Sequence, residues 1–144
     1  MSGIGAGVLV AALVVSVVAA WWLRTRSGAV RAIGEGSVTT TVFQRLGVQP
    51  GAAALTVVQF STAFCAPCRA TKARLQQLQA TRPSLAVVHV DAESHLDEVR
   101  ELDVRRTPTL FYLDRDGRVL GRSSGAPQAE ELTALVDAHT GATA

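Results

Sequence analysis

The sequence predicts an α/β domain with a central mixed β-sheet flanked by helices on both faces, preceded by one transmembrane helix. Three observations predict it. Short apolar, β-branched runs alternate with helix-patterned segments from Leu55 onward. An Asp-Gly pair between two of these runs marks a hairpin, so the sheet mixes antiparallel with parallel neighbours. An uncharged apolar stretch, Ile4 to Leu23, stands ahead of all of them.

That stretch comes first in the chain. At a rise of about 1.5 Å per residue its length matches a hydrocarbon core of about 30 Å. Trp21 and Trp22 close it, where amphipathic rings favour the membrane interface, and Arg24, Arg26 and Arg31 follow. A cleaved secretory signal is the competing reading, with Val18-Ala19-Ala20 as the cleavage site. Against it, no basic side chain precedes Ile4, and two bulky tryptophans follow the would-be site. A retained anchor is therefore expected. The arginines on its C-terminal side place the remainder in the cytoplasm under the positive-inside rule, with the exported side as the alternative. Residues 1–26 are read as the anchor and its basic flank, 27–37 as a linker mixing Arg, Gly and Ser, and 38–144 as the folded domain.

The elements of the domain follow in order. Val38 to Phe43 is β-branched and reads as a first strand, and Gly47 to Gly51, with Pro50, as a loop. Leu55 to Phe60 suits a strand covered on both faces. Arg69 to Thr81 is rich in helix formers and Pro83 stops it, with Leu75 and Leu78 turned to the sheet. Leu85 to Asp91 is the next strand, and strand–helix–strand makes it parallel to the previous one. Leu96 to Leu102 suits a short helix with Leu96, Val99 and Leu102 on its apolar face. Thr109 to Leu113 and Arg118 to Gly121 form an antiparallel pair around Asp114-Arg115-Asp116-Gly117. Gln128 to His139 closes the chain as a helix, with Leu132, Leu135 and Val136 inward.

The net charge of +2 gives no reason to expect nucleic acid. The basic residues alternate with acids and read as a solvated surface. There is no internal repeat.

The chemistry concentrates in Cys65-Ala66-Pro67-Cys68, which holds both cysteines of the chain. The pair follows a strand and opens a helix, whose N-terminus stabilises a thiolate. Two other readings stand beside redox exchange. A structural disulfide across so short a loop contributes little. A zinc site would need a second ligand pair, and His89, His95 and His139 are not spaced as one. Arg69 either steers acidic partners or is solvated, His89 reads as a core or edge group, and Asp91 as a loop cap.

Three features in order, the strand leading into Cys65–Cys68, Arg106-Thr107-Pro108-Thr109, and Gly125 before the last helix, resemble the thioredoxin family from about Leu55 to His139. The resemblance implies a thioredoxin-like fold and a thiol–disulfide oxidoreductase in which Cys65 attacks and Cys68 resolves. It implies a cis Pro108 beside the cysteines and a substrate segment pairing with the backbone of Thr107; an ordinary trans proline entering a strand is the bland alternative. Phe64, Ala66 and Pro67 complete the implied substrate-binding surface. No metal and no organic cofactor is expected. The expected partners are protein disulfides and a reductase or membrane electron donor, with the chain a membrane-anchored monomer. An exported reductant for cytochrome c maturation or envelope thiols, and a non-catalytic binding module, are the runner-up readings.

Three departures stand out. Ala66 replaces the usual glycine between the cysteines, which bears on the reduction potential. Ser61 and Phe64 replace tryptophans common in the family. Gln59 stands where many members have a buried aspartate that shuttles a proton, and an amide cannot titrate.

Overall fold

The computed structural model describes residues 2–26, 31–32 and 40–141. Their elements are α1 (Ser2–Arg26), β1 (Arg31–Ala32), α2 (Thr40–Arg45), β2 (Leu55–Ser61), α3 (Ala66–Thr81), β3 (Leu85–Asp91), α4 (Leu96–Glu101), β4 (Thr109–Asp114), β5 (Val119–Ser124) and α5 (Ala129–Thr140). The strands form one sheet in the order β1-β5-β4-β2-β3. Strand β2 runs parallel to β3, with Leu55 opposite Leu85 and Ser61 opposite Asp91. It runs antiparallel to β4, with Leu55 opposite Asp114 and Phe60 opposite Thr109. The Asp-Gly hairpin forms as expected, and β4 pairs antiparallel with β5. Gly117 takes its left-handed position at φ 81°.

The period-two alternation of β2 sorts its side chains onto two cores. Leu55 and Val57 pack with Leu75 and Leu78 of α3 and Leu132 and Val136 of α5. Val58 and Phe60 pack on the opposite face with Val42 and Phe43 of α2 and with Leu102. Helices therefore cover both faces, and the first six residues of β2 are buried, which explains its unbroken apolar run. Arg45 ties α2 to α4 through Glu98 at 3.4 Å and Glu101 at 2.6 Å.

Two expectations are corrected. The strand expected at Val38–Phe43 is not formed: Thr40 to Phe43 lie in helix α2, while Val38 and Thr39 lie outside the described residues. In the helical form Val42 and Phe43 reach full burial and Leu46 follows one turn on. That burial outweighs the β propensity of the threonine run. Leu96 was expected on the apolar face of α4 but is 53% exposed. It is the first residue of α4, and Val99 and Leu102, one and two turns further on, make the contact with the core instead.

The other bounds shift by a few residues. Strand β5 continues past Gly121 to Ser124, and Arg31–Ala32, inside the expected linker, pairs with Arg122 and Gly121 at the sheet edge. Residues 27–30 and 33–37 of that linker lie outside the described residues.

Helix α1 is 25 residues long. Side chains are described in it only from 7 to 22, and all of these are exposed. Among the described residues no helix is long and apolar enough to cross a membrane.

Tyr112, the single tyrosine of the chain, is fully buried in β4, and its hydroxyl shares a 2.8 Å hydrogen bond with Ser123. Burial pushes its pKa up to about 12, against a smaller opposing effect of the Ser123 bond. The folded value lies above the unfolded one, so this stability is complete below about pH 10 and is lost as pH rises through the folded value. We predict that the unfolding free energy falls by about 2 kcal/mol between pH 10 and 12. Urea unfolding against pH measures it. The same experiment on Tyr112→Phe should give a flatter profile, and an unchanged slope there would refute the assignment.

Candidate active site

The topology brings two distant loops to one place. Strand β2 ends at Ser61 and β4 begins at Thr109, and the two run antiparallel with Phe60 opposite Thr109. The residues just after β2 and just before β4 therefore meet at one end of these two interior strands. The first group contains Phe64-Cys65-Ala66-Pro67-Cys68 and the second Thr107-Pro108. The hydroxyls of Thr62 and Thr107 lie 3.4 Å apart and join the loops directly.

Cys65 and Cys68 are bonded to each other as a disulfide, with Cα atoms 5.2 Å apart. Cys65 is the N-cap of α3, and its sulfur accepts the Cys68 N–H at 3.2 Å. This donor and the N-terminal end of the helix both favour negative charge on the Cys65 sulfur. Pro67 occupies the first turn, where a missing N–H removes no helical bond. Cys65 is 8% and Cys68 3% exposed, so the sulfur nearer the surface is the one at the helix end. Ala66 and Pro67 are exposed between them. Phe64 is 98% exposed, an apolar ring in full contact with solvent beside Cys65.

Thr107–Pro108 is a cis peptide bond, as the resemblance implied. Pro108 is buried and Thr107 half-buried. The Pro108 carbonyl accepts the Gly125 N–H at 2.7 Å, and Thr109 Oγ1 donates to the Arg106 carbonyl at 2.7 Å. Gly125 has φ 101°, a conformation that L side chains rarely adopt. Gly125→Ala is expected to cost about 1–3 kcal/mol in denaturant unfolding. A loss near zero would show that this turn does not brace Pro108.

The structure places the site residues expected from the sequence on two segments tied together at Thr62 and Thr107: Phe64 and Cys65 before α3 with Ala66, Pro67 and Cys68 in its first turn, and Thr107 and Pro108 before β4. Sequence reasoning missed Thr62 as the contact to Thr107, and the tie between Gly125 and Pro108. Neither has a local signature, because each depends on the β2–β4 register.

The surrounding polar groups sort clearly. Asp91 accepts from the Ser94 hydroxyl and the Glu93 N–H, and these bonds hold its carboxyl below the usual range. It is the loop cap expected. His89 stands opposite Gln59 in the β2–β3 register, and burial with the nearby Lys72 charge lowers its pKa. Gln59 is buried, and its Nε2 donates to the Cys68 carbonyl at 2.9 Å.

Fold and site together define a dithiol–disulfide protein: an exchangeable sulfur pair at a helix N-terminus, faced by a cis-proline loop. Residues 37–138 match the thioredoxin family model, and the chain belongs to the thioredoxin family. It is similar to a putative thioredoxin H10 of Arabidopsis thaliana, 35% identical over 74 residues, 51% of this chain and 47% of that one. It is also similar to a thioredoxin of Chlamydia trachomatis, 30% identical over 88 residues, 61% of this chain and 85% of that one. This chain spans about half the length of the Arabidopsis relative and 65% of a thioredoxin H4-1 of Oryza sativa. Among solved structures, thioredoxin f2 of Chlamydomonas reinhardtii has the same fold, with a TM-score of 0.59 and 24% identity over 74% of this chain and 96% of that one.

Proposed function

We propose that the chain is a membrane-anchored thiol–disulfide oxidoreductase that reduces protein disulfides through Cys65 and Cys68. The observation that carries the chemistry is the Cys65–Cys68 disulfide at the start of α3, its outer cysteine preceded in the chain by the fully exposed Phe64. In the reduced form the Cys65 thiolate attacks one sulfur of a substrate disulfide. An S–S bond forms between enzyme and substrate, and the other substrate sulfur leaves as a thiolate and takes up a proton. Cys68 loses its proton and attacks Cys65. The second substrate sulfur departs, and the enzyme disulfide is left behind. Two electrons and two protons pass to the substrate. A reductase or membrane electron donor restores the dithiol, and oxidation of a substrate runs the same steps in reverse. Phe64, Ala66 and Pro67 offer the docking surface, and Thr107-Pro108 the edge along which an extended substrate segment lies.

Helix α1 supports the anchor. Val8, Leu9, Val10, Leu13, Val14, Val15, Val17 and Val18 are each more than half exposed. They run round the whole helix, and an all-round apolar helix needs an apolar surrounding. The uncharged run from Ile4 to Leu23 fits a bilayer, and Arg24 and Arg26 behind it favour a cytoplasmic domain. The chain is expected to stay with the membrane pellet after alkaline washing and to leave it only in detergent. Release by the wash would remove the anchor from the account. The side of the membrane is read with Ala144→Cys and an impermeant thiol reagent. Labelling is expected only after cells are permeabilised, and labelling of intact cells would make the chain an exported reductant instead.

A further inference from the structure

Gln59 Oε1 is the buried side-chain polar atom without a hydrogen-bond partner among the described residues. A buried acceptor left unmet costs about 1–3 kcal/mol, so its presence needs a reason. Gln59 is 1% exposed and lies on the α3 side of the sheet, in line with Leu55 and Val57. Its orientation is fixed by chemistry. The Cys68 carbonyl can only accept, so the amide end that faces it at 2.9 Å is the Nε2 donor, and Oε1 is the end left over. Both ends sit on one carbon, so Oε1 is held within a few ångströms of the Cys68 backbone that Nε2 contacts.

Cys68 is 3% exposed and bonded to Cys65. As half of a disulfide it has no proton to donate. After reduction it carries an S–H in the same buried place, and that proton needs an acceptor. The unmet oxygen belongs to the residue that holds the Cys68 backbone, and the new donor arises on Cys68 in the redox state in which that oxygen has a thiol to receive.

We propose that Gln59 Oε1 accepts a hydrogen bond from the Cys68 thiol in the reduced protein. Gln59 is then a positioning residue: it stabilises the dithiol form and keeps the resolving thiol protonated. A hydrogen bond to the neutral form disfavours the thiolate, and the amide itself takes up no proton at any stage. When Cys68 attacks Cys65, its S–H bond breaks and the proton leaves for solvent or the departing substrate thiolate.

The groups facing this position are few. On β3 it is His89, the register partner of Gln59. On β4 they are Leu110, its other register partner, and Tyr112, while α5 contributes Glu131, whose charge acts on Tyr112. On α3 they are the two cysteines and Lys72, whose charge acts on His89. His89 is held below the ordinary histidine value and Tyr112 is pushed up to about 12.

The test uses the full chain in detergent, with Cys65→Ser so that Cys68 titrates alone. The rate of Cys68 alkylation is followed against pH, with and without Gln59→Met. The amide-free variant is expected to react about tenfold faster at neutral pH, its profile displaced to lower pH by the loss of about one hydrogen bond. A purely structural Gln59 would leave the profile where it was, and that result would overturn the proposal. If Gln59→Met does not fold, the S–H stretching band of the reduced wild-type chain decides. A narrow band displaced from that of a solvated thiol supports the bond, and an undisplaced band overturns it. The inference rests on Cys65 and Cys68 cycling between the two states, but both readouts need no substrate, so its failure is distinct from a failure to reduce protein disulfides.

Discussion

Cys65→Ser is expected to lower disulfide reduction by more than about a thousandfold, while Cys68→Ser accumulates enzyme joined to substrate. The two outcomes differ because the two sulfurs occupy different places. Cys65 caps α3, receives the Cys68 N–H and borders the exposed Phe64. A serine hydroxyl there ionises far too weakly to replace the thiolate. Cys68 is more deeply buried, and without it the first S–S exchange proceeds but the second cannot. A turbidity assay of insulin reduction measures the loss. Mass spectrometry of the Cys68→Ser reaction locates the adduct, which is expected on Cys65. Equal residual activity in the two variants would mean that the roles of the cysteines are not divided in this way.

Phe111→Ala is expected to cost about 3–5 kcal/mol, a third or more of the stability of a typical domain. Phe111 is 1% exposed in β4, at the centre of the core that α2 and α4 cover. Its ring meets those of Phe43 at 5.3 Å and Phe60 at 5.9 Å, both edge to face. The Arg122 guanidinium lies 5.0 Å from its centroid and also donates to the carbonyls of Leu102 and Asp103. Removing the ring opens a cavity in three elements at once and takes away the surface on which Arg122 rests. Urea unfolding should show a lower midpoint at an unchanged slope. A loss below about 1 kcal/mol would show that the core collapses around the gap.

The central strands were legible in the sequence because β2 and β4 are buried on both faces and stand out as apolar runs. Leu55–Phe60 and Leu85–Asp91 came out within a residue of β2 and β3. The hairpin was legible because Asp116-Gly117 constrains the backbone locally. The first strand failed for the complementary reason. Thr39, Thr40 and Thr41 favour extended backbone, but Val42, Phe43 and Leu46 are buried only if the chain coils there. That preference is set by a sheet formed from residues far downstream. Leu96 failed because spacing fixes which side chains share a helix face, not how much of that face the core covers.

The candidate site shows the same division. Cys65, Cys68 and Pro108 were legible as motifs, with the division of roles between the cysteines and the cis bond supplied by the resemblance. The contact of Thr62 with Thr107 and the brace from Gly125 to Pro108 were not, since both arise from strand pairing. Gln59 was visible only as a departure from the family pattern. Its bond to the Cys68 carbonyl, and the oxygen left unmet beside it, required the three-dimensional arrangement.

The central claim is that electrons reach a substrate disulfide through the Cys65–Cys68 pair. The most direct measurement mixes the fully reduced chain with a protein disulfide, without any other reductant, and counts both products after acid quenching and thiol labelling. The account predicts one Cys65–Cys68 disulfide formed for each substrate disulfide reduced. Substrate reduction with the pair still in its dithiol form, or a pair that stays reduced beside an intact substrate with a weaker disulfide, would contradict it.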